Sequence, residues 1–459
     1  MRKVLIIYLL PFLFLYQSVF AIAEWTMVVY MQGDNNLSSM LDHDMAEMVS
    51  GLARVNIDPD HSVNILTQVD YPTDKKTWRF IITPTGKIEH GSLTSEMGVR
   101  PIDELITTGR WVKMECPAKK YAFVLWNHGS GIEDYRKIDL DKKINFNGIW
   151  MDIFKDESDV KNTGKIDITP KINTTEELGK DVKNLRGILY DDSEQTCLTN
   201  QGLGEAFRQI MNILGQPIDV LAMDACLMSM VEIAYQVKDS VRVLVASQQV
   251  VPGSGFDYTV ITSQMAFNSQ SIGAMELARL MVESYNDFYS RTTVKDYTLS
   301  AINISLIDAL RNNIDQVATT LLECLQYKPI SIRQALKTAR GNSMHFENNS
   351  YIDLYSFYEC LGIELTKLHA EADKATSGCC GLFKTSPNYE PALIRLGQFL
   401  NDGFALIPKV VFANVTGESS RNAHGISIYY PSSILSVHSS YSNTFFAQQS
   451  QWFKLIKKI

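Results

Sequence analysis

Tyr121-Ala-Phe-Val-Leu-Trp126 runs directly into Asn127-His128-Gly129-Ser130-Gly131, and Ile218-Asp-Val-Leu-Ala-Met223 runs into Asp224-Ala225-Cys226. Each run is apolar, rich in β-formers and too short for a free-standing helix, so each reads as a buried strand. Trp25–Met31, Val63–Val69 and Val241–Ala246 have the same character. Helical periodicity lies between several of them, over Leu37–Leu52, Leu203–Leu214 and Met228–Val237. Strands alternating with helices predict an α/β fold with a mainly parallel sheet covered on both faces. Trp78–Thr83 alternates and stops at Pro84, which predicts a hairpin or edge strand.

In open parallel sheets, ligands bind beyond the carboxyl ends of the strands. Two of the predicted ends carry reactive side chains, His128 and Cys226. If their strands are neighbours, both project from one edge. A cysteine can attack a carbonyl, and an imidazole can carry the proton to a departing amine. Gly129 would allow close backbone approach and offer an N–H to a developing oxyanion. Leu227 onward reads as helical, which would put the Cys226 thiol at a helix N-terminus, where the dipole favours thiolate. Taken alone, a cysteine is more often a small buried hydrophobe and a histidine a hydrogen-bonded structural residue. The paired strand ends give the two residues their interest.

The remaining sequence narrows the class. The chain has 459 residues, is 45% hydrophobic and 20% charged, and carries a formal net charge of -8. That is the composition of a globular protein large enough for a catalytic core plus a lobe. The acidic balance, with no basic run beyond Lys457-Lys458, argues against a nucleic-acid partner. Arg2-Lys3, the apolar stretch Val4–Leu15 and Ala21-Ile22-Ala23 form the pattern of an export signal. Cleavage is expected after Ala23, giving a secreted or periplasmic chain with no membrane span. The seven cysteines (Cys116, Cys197, Cys226, Cys324, Cys360, Cys379 and Cys380) are too sparse for a disulfide scaffold and lack zinc-site spacing. No G-x-S-x-G or H-E-x-x-H motif supports another hydrolase class. Between Ile132 and Arg186 the chain turns polar and lysine-rich, which predicts an exposed insertion. The domain reading is a signal at 1–23, a core at 24–300 carrying that insertion, and a mostly helical lobe at 301–459 with a late strand at 425–430.

Six short segments occur in an order that resembles the clostripain-like cysteine peptidases (peptidase family C11), relatives of caspases, legumain and gingipains. They are Tyr30–Leu37, Trp126–Gly131, Arg186–Asp192, Met223–Met228, Ala246–Gln249 with Pro252–Phe256, and His424–Pro431. The resemblance implies a caspase-like α/β/α sandwich and a dyad of His128 and Cys226. It also implies oxyanion donors at the backbone N–H groups of Gly129 and Cys226. Such peptidases cleave protein or peptide substrates after Arg or Lys, and a cationic side chain calls for a carboxylate in the cleft. Asp224 matches one acidic pocket residue, although a strand-end hydrogen bond would account for it equally well. Ser254 stands where a second acid is common, so the basic preference is expected to be weakened or changed. Relatives mature by cutting at a basic site between the histidine and the cysteine. Here Lys142, Lys143, Lys183 and Arg186 are candidates, and a monomer that becomes two noncovalently held chains is expected. The competing reading is a non-catalytic descendant that keeps the fold as a binding protein. The family's type member is associated with calcium. Asp34, Asn35, Asn36, Asp42 and Asp44 offer oxygens, but they lack the spacing of an EF-hand. Turn chemistry accounts for Asp34–Asn36, and no metal or other cofactor is expected.

Overall fold

In the computed structural model, residues 22–55, 63–93, 95–132, 144–146, 149–151, 187–377 and 386–459 are described. Most of the export-signal pattern, the four candidate processing positions and the Cys379-Cys380 pair lie outside them. Nine strands form one sheet: β1 (Ala23–Gln32), β2 (Val63–Asp70), β3 (Thr77–Thr83), β4 (Gly86–Leu93), β5 (Ala118–Trp126), β6 (Ile218–Asp224), β7 (Val241–Ala246), β8 (Thr298–Asn303) and β9 (Val411–Thr416). Their order is β9-β8-β7-β6-β5-β1-β2-β3-β4. The five central strands run parallel, and two antiparallel strands extend each edge. The predicted hairpin at Trp78–Thr83 is β3, paired on both sides, and β4 forms the edge.

The strands' period of two divides the apolar residues between two cores. Phe123 and Leu125 of β5 face one core with Leu221 and Met223 of β6. Ala122, Val124 and Trp126 face the other with Val220 and Ala222. Helix α1 (Leu41–Ala53) covers the second face. Helices α2 (Pro101–Glu115), α3 (Asn200–Leu214) and α4 (Val231–Gln236) lie on the first. Helices α5 (Tyr258–Phe267) and α6 (Ala274–Tyr289) complete the second layer. The result is the expected α/β/α sandwich. Complete burial of a side chain such as Phe123 or Leu221 contributes about 1.5–3 kcal/mol.

The C-terminal part is mostly helical, with α7 (Ile307–Tyr327), α8 (Pro329–Asn342), α9 (Leu354–Ser377) and α10 (Tyr389–Val410). It is continuous with the core. Residue 300 falls inside β8, β9 extends the same sheet, and α7, α9 and α10 share the first hydrophobic core. The late strand is Ser427–Tyr429, which pairs with Tyr351–Asp353. Within the polar insertion, Ile144–Phe146 pairs antiparallel with Ile149–Met151.

Candidate active site

Strands β5 and β6 are neighbours, and their register sets Asp224 opposite Trp126. His128 and Cys226 each follow two residues later, so both leave the sheet at the same level. The two loops touch. A Cβ built on Gly129 would lie 2.6 Å from the Cys226 carbonyl oxygen and 3.0 Å from Met228 Sδ. Only a glycine fits without moving one of the loops. Neither the Gly129 nor the Cys226 N–H donates to a backbone carbonyl among the described residues.

Asn127 explains why β5 ends where it does. Its Nδ2 donates to the carbonyls of Gln32 and Tyr190, and its Oδ1 accepts from the N–H groups of Tyr190 and His128. One side chain thus ties the ends of β1 and β5 to the strand Ile188–Asp191. His128 is partly exposed and lies edge-on to Tyr190. Its Nε2 is 2.7 Å from Asn36 Oδ1. An amide oxygen can only accept, so Nε2 carries the hydrogen and the neutral ring keeps its lone pair on Nδ1. Burial pushes the imidazolium down to about 4. Sequence reasoning gives Asn36 a turn role only, because its contact with His128 spans 92 residues.

The helix-dipole expectation for Cys226 is corrected. Leu227 takes a left-handed conformation (φ 64°), Met230 bridges to Ser427, and α4 begins only at Val231. The thiol therefore sits in a turn five residues before the helix, beyond the reach of a first-turn dipole. Burial, with smaller contributions from Asp224 and Glu347, pushes it up to about 11, against hydrogen bonds from the Val251 N–H at 3.4 Å and from its own backbone N–H. The resting pair is neutral thiol and neutral imidazole. Cys116, Cys226, Cys324 and Cys360 are free thiols.

Asp224 is 5% exposed. Its Oδ2 accepts from the Phe256 N–H at 3.1 Å and the Tyr258 hydroxyl at 3.0 Å, and no described group donates to Oδ1. The strand-end bonding role is present, and one oxygen is left over. The loop Pro252–Phe256 turns at Gly255 (φ 58°), where a Cβ would meet Asp224 Oδ2 at 2.6 Å. Ser254, partly exposed at that turn, makes no described hydrogen bond. Burial, then the charges of Asp44 and Glu47 on α1, push Asp224 up to about 7. Glu47 is itself raised to about 7, chiefly by burial, and accepts from the Tyr258 N–H. Asp44 accepts from Trp126 Nε1 at 2.7 Å. The acids that accompany Asp224 thus come from α1, which the local sequence around Cys226 does not reveal.

The C-terminal part braces both loops. The Tyr351 hydroxyl donates to the Ser130 carbonyl at 2.5 Å, and Ser229 Oγ donates to the Gly425 carbonyl at 2.6 Å. Gln248 accepts from the Gly425 N–H and donates to Asp353, which also holds His424 Nδ1 at 2.9 Å. Two of the quoted motifs, far apart in the chain, therefore meet through hydrogen bonds behind the site.

The oxygen-bearing side chains after β1 are engaged in different ways. Asn35 makes the expected turn, its Oδ1 accepting from the Leu37 N–H at 2.8 Å. Asp42 is paired with Lys87 at 2.6 Å. Asp34, however, joins Glu96 and Asp191, with one oxygen from each within 4.8 Å of the others.

Comparison with known proteins identifies the family of the chain. The clostripain family model (peptidase C11) matches residues 29–155 and 176–458. Clostripain of Hathewaya histolytica is 23% identical over 465 residues, covering 91% of this chain and 77% of its own. The structure of a secreted C11 cysteine protease from Bacteroides thetaiotaomicron, in complex with an irreversible peptide inhibitor, has a TM-score of 0.59 at 18% identity, covering 94% of this chain and 99% of that one. An inactive zymogen C11 protease from Parabacteroides distasonis has a TM-score of 0.56 at 14% identity, covering 94% and 98%. The chain belongs to the clostripain family and is a cysteine-type endopeptidase.

Proposed function

We propose that the protein is an exported endopeptidase that cleaves peptide bonds through a dyad of Cys226 and His128. The observation that carries this reading is the register of β5 and β6, which brings the two residues level on adjacent strands. The Cys226 S–H gives its proton to His128 Nδ1 as Sγ bonds to the scissile carbonyl carbon. The carbonyl electron pair moves onto oxygen, which takes hydrogen bonds from the N–H groups of Gly129 and Cys226, neither of which donates to a backbone carbonyl among the described residues. Collapse of this intermediate breaks the C–N bond, and His128 passes its proton to the departing amine. Water, giving a proton to His128, then attacks the thioester carbon; the C–S bond breaks, the acid product leaves, and Cys226 departs as thiolate and takes the proton back from His128. Asn36 keeps the ring in the tautomer this sequence of steps needs.

Basic side chains before the scissile bond are the preferred substrates in this reading. Support comes from the unengaged oxygen of Asp224 and the negative field of Asp44 and Glu47, with Ser254 adding none. Maturation is by self-cleavage in the Ile132–Arg186 insertion, and the product is a monomer of two noncovalent chains. Export rests on the residue pattern before Glu24; among the described residues no helix is long and apolar enough to cross a membrane.

The test is labelling of purified protein with a peptidyl acyloxymethyl ketone and mapping the adduct by mass spectrometry. The adduct is expected on Cys226 and lost in His128→Ala. No labelling of folded wild-type protein favours the non-catalytic binding protein. Fluorogenic peptides with Arg, Lys, Asp or Asn before the bond test specificity; equal or faster cleavage of the non-basic pair sinks the basic preference. Cys226→Ala should stay single-chain where wild type is cut. An active wild type that stays intact removes self-cleavage from the reading.

A further inference from the structure

A turn of the C-terminal part, residues 346–351, reaches both loops of the site. Backbone bonds close it, from the Phe346 N–H to the Tyr351 carbonyl and from the Tyr351 N–H to the Asn348 carbonyl. At one end, the Tyr351 hydroxyl donates to the Ser130 carbonyl, two residues beyond His128. At the other, the Glu347 N–H donates to Gln249 Oε1 at 3.1 Å. The same oxygen accepts from the Val250 N–H at 3.0 Å, and the next residue, Val251, donates its N–H to Cys226 Sγ. One glutamine side chain therefore ties Glu347 to the segment that touches the nucleophile. The charge of Glu347 is among those felt by the thiol.

The Glu347 carboxylate has no structural work. It is partly exposed and makes no hydrogen bond or ion pair among the described residues. The turn is closed without it, with Asn348 Oδ1 accepting from the Ser350 N–H. Asp296, just before β8, lies on the other side of the same glutamine, accepting from Gln249 Nε2 at 3.1 Å and from Ser420 Oγ. No described lysine or arginine pairs with Glu347 or Asp296, whereas Glu323 and Glu364 pair with Arg395 and Lys367. Burial, then the charge of Asp296, raises the Glu347 carboxyl above its ordinary range. Along residues 249–256, Gln249 holds the Glu347 side, Val251 meets Cys226 Sγ, and Gly255 and Phe256 pack on Asp224. The nucleophile thus stands between two acidic positions on one segment of chain.

We propose that Glu347, with Asp296 behind it, is a specificity-determining residue that receives a second cationic side chain, so that peptides with two basic residues around the scissile bond are preferred. A charge-assisted bond to an ammonium or guanidinium would complete the carboxylate that the fold leaves unpaired. The assignment rests on Asp224 taking the basic residue before the bond, and it adds the neighbouring position.

The test compares kcat/KM of the purified active enzyme on internally quenched peptides with one Arg before the scissile bond. Ala, Lys or Glu is placed one or two residues before that Arg, or first after the bond. Mass spectrometry of the products restricts the rate to cleavage after Arg. A distant Lys in the same peptide controls for attraction to the chain's net charge of -8. At one of these positions Lys is expected to exceed Ala about tenfold, with Glu below Ala. Glu347→Gln should bring the Lys-to-Ala ratio to within about threefold of unity, and Glu347→Arg should reverse the order of Lys and Glu. A wild-type ratio near unity at every position, alongside a clear preference for Arg before the bond, overturns this proposal alone and requires no variant. A Lys preference that survives Glu347→Gln in folded protein overturns the role of Glu347. Equal cleavage of Ala-flanked peptides with Arg or Asn before the bond removes the Asp224 reading, and this proposal with it.

Discussion

Gly129→Ala tests the geometry on which the catalytic reading stands. A Cβ at 129 would sit 2.6 Å from the Cys226 carbonyl oxygen, whereas ordinary contact begins at 3.4 Å, so about 0.8 Å of separation must be found. The obstacle is backbone, and the Met228 side chain closes the other side at 3.0 Å. The 128–130 loop cannot retreat freely, because Asn127 pins its start and the Tyr351 hydroxyl holds the Ser130 carbonyl. The displacement therefore falls on His128 relative to Cys226 and on the proposed oxyanion donors. A misplacement of about 1 Å costs about 10²-fold in rate, which corresponds to about 2.7 kcal/mol of transition-state stabilisation. The overpacking cost to stability is about 1–3 kcal/mol. The assay is kcat/KM on a basic fluorogenic peptide, with thermal unfolding of the same preparation and acyloxymethyl ketone labelling of Cys226. A folded variant within about threefold of wild type would falsify the close approach of the two loops.

Asn36→Asp replaces an amide acceptor with a carboxylate at His128 Nε2. It should raise the imidazolium pKa above about 4 and move the acid limb of the pH–rate profile upward, while Asn36→Ala lowers kcat/KM without that shift. An unmoved acid limb in Asn36→Asp would remove Asn36 from its positioning role. Asp224 titrates near 7 in the folded protein against an ordinary 3.8. The folded state thus holds its proton longer, and stability falls as pH rises from about 4 to about 7. In a Cys226→Ala background, Asp224→Asn should flatten the dependence of Tm on pH over that window; an identical slope would show that Asp224 is not the titrating group. Gly341, exposed in α8, has nothing within 4 Å of the position a Cβ would take. Gly341→Ala should add about 0.5–1 kcal/mol of stability by denaturant titration and leave kcat/KM unchanged, a control for glycine replacement away from the cleft.

The central strands can be read from the chain because their signal is local. Runs such as Tyr121–Trp126 and Ile218–Met223 are apolar over six residues, and burial on both faces of a parallel sheet demands that. The alternation within them, with Phe123 to one core and Val124 to the other, follows from the strand's period. Helix α2 is absent from the sequence expectations, although Leu105, Ile106, Trp111 and Val112 carry its buried face. The start of α4 lies later than expected because Leu227–Met230 has helical composition but is held out of the helix by the bridge from Met230 to Ser427. That pairing joins residues about 200 positions apart, and no window of local sequence contains it.

A covered parallel sheet, two strand ends bearing His128 and Cys226, and the family those motifs share are all written in the order of the residues. Folding in three dimensions alone decided that the two ends are level neighbours, that the thiol lies in a turn rather than on a helix, and that Asn36 orients the imidazole. It also gathered Asp44 and Glu47 behind Asp224, and Asp34, Asp70, Glu96 and Asp191 into one buried group. The physical reason is range. Burial and periodicity act within one strand or helix, whereas hydrogen bonding and charge act between any groups that folding brings together.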